Sequence, residues 1–156
     1  MTHIVHETLE FERMLDASAT DVFAAFASKQ ALLDWSDPGE GWDMSYDVFD
    51  FRVSHTDVAS FGVIGQPPYT STTHYLAINS GTRIIYASTL THKGKLTFVG
   101  TVTVELQPLG AAVTQLRLVE AGAYIDGADG PEGHRDGWNF MLDNLAKYLK
   151  RARRAA

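Results

Sequence analysis

Hydrophobic residues recur at two different spacings along this chain, and the change of spacing divides it into strands and helices. Between residues 46 and 124, apolar and polar side chains alternate in segments that turn residues separate, a pattern typical of strands. Strands are predicted over 46–53, 58–64, 69–78, 82–91, 96–106 and 112–124. Because no helical segment interrupts them, the six predict an antiparallel meander.

The segment before this meander predicts one more strand and two short helices. Residues 11–15 alternate weakly, as a strand would. Ser18, followed three residues later by Asp21, is typical of a helix N-terminus. A second helix, over about 30–35, ends at the turn Asp37-Pro38-Gly39. Two consecutive short helices are therefore expected between the first and second strands.

The last third of the chain predicts one long amphipathic helix over 133–149. Its apolar residues recur every three or four positions and form a single face: Trp138, Met141, Leu142, Leu145 and Leu149. Asp129 and Glu132 occupy the positions of a capping box, with Pro131 in the first turn. A long helix that follows a run of strands usually packs across the sheet, and the two can enclose a cavity.

Alternation also assigns side chains to the face of the sheet that this helix would cover, here called the inner face. Glu120 shares the parity of Leu118 and is predicted to point inward. In the strand 69–78, Ile78 is predicted to point inward. Leu76, His74 and Thr72 alternate with it and are therefore predicted to lie on the same face. Toward one end of the inner face, the predicted inward residues are polar: His74, Tyr86, Ser88 and Glu120.

These polar residues have both structural and functional interpretations. His74 could serve as a general base or ligand anchor, or as a core histidine bonded to a neighbour. Tyr86 could donate to a bound carbonyl or phenolate, or to a backbone acceptor. Because carboxylates are rarely buried unpaired, Glu120 is expected at a cavity mouth, paired with Arg135 or His134, or in a functional role. The residues predicted to bind a ligand are His74, Tyr86, Ser88, Glu120, Phe49, Phe51, Trp35, Trp138 and Met141, of which Trp138 is also expected to anchor the helix on the sheet.

Composition narrows the possible classes of partner. The formal net charge is −6, which argues against nucleic acid. The chain has no cysteine, and its six histidines lack metal-ligand spacings, so neither a metal nor a cofactor is expected. No signal peptide or membrane-spanning run is visible, and a cytoplasmic location is expected.

The chain resembles the SRPBCC (START / Bet v 1-like) superfamily, and within it the family of activator of heat-shock protein 90 ATPase homologues. The matching segments are 11–26, 32–35, the strands 101–108 and 114–118, and 133–149 with its Gly137-Trp138 pair. One departure is that Asp50-Phe51-Arg52-Val53 is followed by Ser54-His55 where the family commonly has two glycines. The resemblance implies a single START-like domain over 1–156. Its expected fold is the α+β helix-grip (Bet v 1-like) fold, in which a curved antiparallel sheet of six to seven strands wraps on a long C-terminal helix.

Three functions are compatible with this fold, because a fold alone does not determine function. The first is a non-catalytic protein that binds a hydrophobic or amphipathic small molecule, such as a lipid or polyketide, between sheet and helix. The second is a cyclase, dehydratase or hydrolase that uses His74 or Glu120 as acid or base. The third is a chaperone-interaction module, as the family name suggests. A homodimer is compatible with each of them.

Overall fold

The computed structural model of the protein describes residues 3–127 and 130–155. Seven strands and three helices follow one another in this part of the chain. The strands are β1 (Ile4–Leu15), β2 (Trp42–Val48), β3 (Thr56–Val63), β4 (Tyr69–Asn79), β5 (Arg83–His92), β6 (Lys95–Gly110) and β7 (Val113–Ile125). The helices are α1 (Ala19–Ala27), α2 (Lys29–Trp35) and α3 (Pro131–Ala155).

All seven strands form one antiparallel sheet in the order β1-β7-β6-β5-β4-β3-β2. The six strands from β2 to β7 are therefore a meander, as the alternation predicted, and β1 returns to pair with β7. The predicted first strand is longer than expected, since β1 begins at Ile4 rather than Phe11. The expected helix-grip arrangement, with two short helices after β1 and a long helix after β7, is confirmed.

Side-chain caps fix the starts of the two short helices. The Ser18 hydroxyl accepts a hydrogen bond from the Asp21 amide at 3.1 Å, which confirms the predicted N-cap. Ser28 accepts from the Ala31 amide at 3.3 Å and begins α2 directly after α1. At the end of α2, the Trp35 indole nitrogen donates to the Ala25 carbonyl at 2.9 Å and the ring packs edge-on against Phe26. This contact fixes the angle between the two helices.

The long helix α3 packs its apolar face over β1 and the two short helices. Leu142, Leu145 and Leu149 are buried in the core, whereas Trp138 and Met141, nearer the N-terminus of α3, are only partly buried. Pro131 is the first residue of α3, as predicted. The predicted capping residue Asp129 lies outside the described residues. No helix in the described ranges has both the length and the apolar character to cross a membrane.

A bulge in β4 overturns part of the predicted pattern of faces. The register with β5 shifts between Tyr75 and Ala77, so Leu76 is the extra residue and is 49% exposed. Ile78 still pairs with the buried Ile84 and faces inward, as predicted. Before the bulge the parity reverses: Tyr75 pairs with Tyr86 on the inner face. The predicted inward positions of Leu76, His74 and Thr72 are therefore wrong.

The connection from β2 to β3 also differs from the prediction. The predicted strand 46–53 ends at Val48, and residues 49–55 form a loop. Ser54 adopts a φ of 69°, the left-handed conformation that a glycine would adopt without strain. Asp50 stabilises this loop by accepting from Arg52 Nε at 2.6 Å and by pairing with His55 Nδ1 at 2.9 Å. The loop thus turns without glycine by using a strained serine and a local ion pair.

Candidate functional site

A buried carboxylate joins β7 to the N-terminal half of α3. The Glu120 side chain is 4% exposed and faces inward, as its parity predicted. Its Oε1 accepts from the Tyr124 hydroxyl at 2.9 Å and pairs with His134 Nδ1 at 2.7 Å, and its Oε2 accepts from Trp138 Nε1 at 2.8 Å. Three hydrogen bonds offset the cost of removing this carboxylate from water. Of the two partners expected for Glu120, His134 is the one that pairs with it, and whether Glu120 also has a functional role stays a prediction.

Two cross-strand glycines give Phe98 its position beside this carboxylate. Gly100 of β6 pairs with Gly122 of β7, and a Cβ added at Gly122 would lie 2.6 Å from Phe98 Cε2. The Phe98 ring therefore occupies space that a side chain at Gly122 would need. Its centroid lies 5.0 Å from the Tyr124 ring and 4.6 Å from the His134 ring. Because these two positions are glycines, the rings of Phe98, Tyr124 and His134 can pack closely around Glu120.

A second buried carboxylate lies across the sheet, on β3. Asp57 is 2% exposed and faces inward opposite Thr73. It accepts from the Tyr75 hydroxyl at 2.6 Å and from the Asp50 amide at 2.5 Å. Phe51, in the β2–β3 loop, packs edge-on against Tyr75 at 4.9 Å and against Phe23 of α1 at 5.8 Å. Asp57 therefore holds both the loop and β4 in place.

Two inward tyrosines near these carboxylates have unpaired hydroxyl groups: one lies on a strand between the two carboxylates, and the other lies on the edge strand beyond Asp57. Tyr86 of β5 and Tyr46 of β2 face inward, and neither hydroxyl has a hydrogen-bond partner among the described residues. Burial raises the pKa of Tyr86 above its ordinary range, and the charge of Glu120 raises it further. Burial likewise raises the pKa of Tyr46, with a smaller contribution from Asp57. Both hydroxyls therefore stay protonated and able to donate at neutral pH.

Accessibility changes along the inner face. At the end covered by α1 and the C-terminal half of α3, Ile84, Val104 and Leu116 are buried. Asp57, Ala59 and Tyr75, on the same face of β3 and β4, are also buried. Toward the other end, several inward residues are half-buried although they lie in the interior strands β3, β4 and β5: Phe61, Tyr69, Ser71, Thr73, Tyr86, Ser88 and Leu90. Water therefore reaches the inner face beside the N-terminal half of α3, which also carries the half-buried Trp138 and Met141. These accessible inward residues, together with Tyr46, are here called the open half of the inner face.

The structure brings together part of the predicted site. Tyr86, Ser88 and Glu120 share the inner face, and Trp138 anchors α3 to the sheet through Glu120, as expected. His74 is absent from this group, because the β4 bulge turns it to the outer face, where its Nδ1 lies 2.8 Å from Thr56 Oγ1.

The predicted aromatic residues fall in two different environments. Trp35 is 2% exposed and enclosed between the short helices, so a ligand would have no access to its ring. Phe49 and Phe51 belong to the loop after β2 rather than to a strand, and Phe49 packs edge-on against Tyr46 at 5.5 Å. Whether Phe49, Phe51 or Met141 contacts a ligand stays a prediction.

Several residues of the site were missed in the sequence. Tyr124 could have been found, because it lies four positions after Glu120 in the same strand and so shares its face. Tyr75 and Asp57 gave no such signal, since assigning them inward requires knowing where β4 is bulged and how β3 is paired.

Two surface depressions lie away from this site, on the outer face of the sheet. One is lined by residues that include His6, Thr8 and Val99, and the other by residues that include Arg83, Glu105 and Arg117. Arg117 forms exposed ion pairs with Glu10 and Glu105, at 3.2 and 3.5 Å. Such solvated pairs contribute little stability, and they are typical of a water-facing sheet surface.

Comparison with known proteins agrees with this architecture. Residues 16–150 match the family model described as activator of Hsp90 ATPase homolog 1-like protein, and the chain belongs to this family. The Mll3558 protein from Rhizobium loti is 31% identical, with a TM-score of 0.83 over 94% of this chain and 99% of that one. A protein from Rhizobium leguminosarum is 26% identical, with a TM-score of 0.84 over 97% and 99% of the two chains. No curated protein matches the chain.

Proposed function

We propose that this protein binds a small hydrophobic or amphipathic molecule between the open half of the inner face and the N-terminal half of α3. The observation that carries the proposal is the half-buried state of inward Tyr86, Ser88 and Leu90 on an interior strand. Aromatic and aliphatic surface mixed with a few hydroxyl groups is typical of small-molecule sites. Related Bet v 1-like folds often bind hydrophobic ligands, which agrees with this proposal.

Apolar burial supplies the main favourable free energy for such binding. A ligand that removes about 300 Å² of apolar surface from water gains roughly 7 kcal/mol before the costs of association. Association offsets at least about 4 kcal/mol of this gain, so a larger buried area or added hydrogen bonds are needed for micromolar binding. Binding therefore needs no catalytic group and no covalent attachment.

The geometry of Glu120 argues against the alternative of an acid–base enzyme. A catalytic base must reach the proton that it removes, whereas both oxygens of Glu120 accept hydrogen bonds from the protein itself. His74, the other candidate, lies on the outer face. The contacts of Glu120 favour a structural role, in which it holds α3 against β7. The chaperone-interaction module, the cytoplasmic location and the homodimer stay predictions from the sequence.

A variant that fills the proposed site tests the proposal directly. Ser88→Leu adds a large side chain to the inner face of β5, and we expect it to weaken the binding of a neutral fluorescent naphthalene ketone at least about tenfold by excluding part of the ligand. The matched control is Ala87→Leu, which adds similar bulk to the next residue of the same strand on the outer face.

Binding is measured by fluorescence titration, and thermal unfolding of each variant verifies that it folds. Loss of binding in Ser88→Leu with retention in Ala87→Leu supports the proposal. Equal affinities in both variants, or a wild-type protein that binds no apolar probe at all, would contradict it.

A further inference from the structure

The open half of the inner face contains hydroxyl groups and apolar surface. The register of β2 to β7 places one cation on the inner face, the exposed Lys95, which pairs with His92 at the end of the β5–β6 hairpin. The other ionisable groups on the inner face of these strands are the two buried carboxylates, four tyrosines besides Tyr69 at the rim, and His92, whose ring stacks on Tyr69. A charged head group beside Tyr86 would find no cation within reach on these strands, because His92 and its partner Lys95 lie six residues away along β5, about 20 Å.

The hydroxyl groups are open to a guest molecule. Within the described ranges, no fully enclosed side-chain nitrogen or oxygen lacks a hydrogen-bond partner. The Tyr86 and Tyr46 hydroxyls have no partner among these residues, so both must reach accessible space. Ser88 and Thr73, which pair with each other across β5 and β4, carry further unpartnered hydroxyls beside Tyr86.

The two carboxylates differ from these hydroxyls because their hydrogen bonds are already formed within the protein. Glu120 accepts from Tyr124, His134 and Trp138. Asp57 accepts from Tyr75 and the Asp50 amide. Both carboxylates act on the site electrostatically. In addition to burial, the charge of Glu120 raises the pKa of Tyr86, and the charge of Asp57 raises the pKa of Tyr46. His134, a basic group of α3 beside this surface, has its Nδ1 engaged by Glu120.

We infer that the ligand is an uncharged molecule that carries a neutral hydrogen-bond acceptor of the carbonyl type, and that the Tyr86 hydroxyl donates to this acceptor. This inference rests on the proposed function and narrows it. A carboxylate, sulfonate or phosphate on the same apolar skeleton would be desolvated without a cation and would lie close to Glu120 and Asp57. An ester, ketone or amide accepts the tyrosine hydrogen bond at no such cost.

A matched pair of fluorescent probes tests this inference. Methyl 9-anthracenecarboxylate and the free 9-anthracenecarboxylate share one ring system and differ in charge at neutral pH. We expect the methyl ester to bind the wild-type protein at least about tenfold more tightly than the carboxylate, because the anion loses its hydration unpaired. Anthracene itself, which has no acceptor, serves as the reference for the apolar part of binding.

A variant assigns the hydrogen bond to Tyr86. Tyr86→Phe keeps the ring and removes the hydroxyl. We therefore expect it to weaken the affinity for the methyl ester about three- to tenfold and to leave the affinity for anthracene unchanged. Tyr148→Phe is the matched control, because Tyr148 lies on α3 fourteen residues beyond His134, about 21 Å along the helix axis. It removes a tyrosine hydroxyl far from Glu120 and should change neither affinity.

The outcomes separate the inference from the proposed function. If the ester and the carboxylate bind equally, or if the carboxylate binds better, the inference is overturned while the binding function stands. If Tyr86→Phe lost affinity for the ester and for anthracene to the same extent, the assignment of the hydrogen bond to Tyr86 would be overturned. If none of the three probes binds, the proposed function and this inference both fail.

Discussion

The Trp138 indole nitrogen lies 2.8 Å from Oε2 of Glu120, and this hydrogen bond joins the first turns of α3 to the middle of β7. His134, one helical turn earlier, approaches the other oxygen of the same carboxylate. The N-terminal half of α3 is thus attached by polar contacts, whereas its C-terminal half is attached by Leu142, Leu145 and Leu149. The two halves of one helix are held by different physical forces.

Removal of the carboxylate should destabilise the protein strongly. Glu120→Leu leaves the donors of Tyr124, His134 and Trp138 without an acceptor in a buried place, and we expect a loss of about 3 to 5 kcal/mol in the free energy of unfolding. Urea denaturation measures this loss. Glu105→Leu, at an exposed ion pair with Arg117, is the control and should change stability by no more than about 1 kcal/mol. Similar losses in the two variants would show that Glu120 is not the attachment point.

Removal of the indole N–H should loosen one half of α3 alone. Trp138→Phe keeps an aromatic ring but leaves Oε2 of Glu120 without its donor, which costs about 1 to 2 kcal/mol. We expect faster amide hydrogen exchange before Met141 and unchanged exchange after Leu142, because the buried leucines are untouched. Hydrogen exchange with mass spectrometry resolves the two halves. A uniform increase along all of α3 would contradict the idea that the halves are held independently.

Two glycine substitutions should change stability in opposite directions. Gly122→Ala places a Cβ 2.6 Å from both Phe98 Cε2 and the Val99 carbonyl oxygen, and we expect a loss of about 1 to 3 kcal/mol. In Gly137→Ala, the new Cβ meets nothing within 4 Å inside α3, so the variant should gain about 0.5 to 1 kcal/mol from helix propensity. Thermal unfolding compares the two with the wild type. A neutral Gly122→Ala would mean that Phe98 moves freely, and the packing around Glu120 would then need another explanation.

Stability should fall at alkaline pH because of the inner-face tyrosines. The pKa values of Tyr46, Tyr75 and Tyr86 are raised in the folded protein, mainly by burial, from an ordinary value of 10.0. Unfolded chains therefore lose these protons first, so the stabilisation is complete below pH 10 and decreases as the pH rises above it. Melting temperatures between pH 8 and pH 11, with phenolate absorbance recorded in parallel, measure the effect. Tyr86→Phe should flatten the alkaline decline, and an unchanged slope would contradict the assignment.

The elements of this fold were predictable because most of them depend on local patterns. The strands of the meander and the buried leucine face of α3 follow from periodicity, and Ser18 marks the start of α1 through its own hydroxyl. The inward position of Glu120 followed from counting parity along a regular strand. The sequence therefore predicted the enclosing elements and one of the two carboxylates.

The remaining part of the site depended on non-local geometry. One extra residue in β4 reversed the faces of all residues before it, which removed His74 and brought Tyr75 inward. No local pattern marked Leu76 as that residue, because a leucine there fits an inward position equally well. Asp57 was missed for a related reason: its burial depends on Tyr75 and on the Asp50 amide, which come from other segments.

The bulge at Leu76 has an implication for how such proteins diverge. Deleting that one residue would restore regular alternation in β4, so that Thr72 and His74 would replace Ser71, Thr73 and Tyr75 on the inner face. A titratable imidazole would then face the ligand where hydroxyl groups now do. Insertion or loss of a single codon at this point of the gene is thus a short evolutionary route between an inner face lined by hydroxyl groups and one that carries an imidazole able to transfer protons.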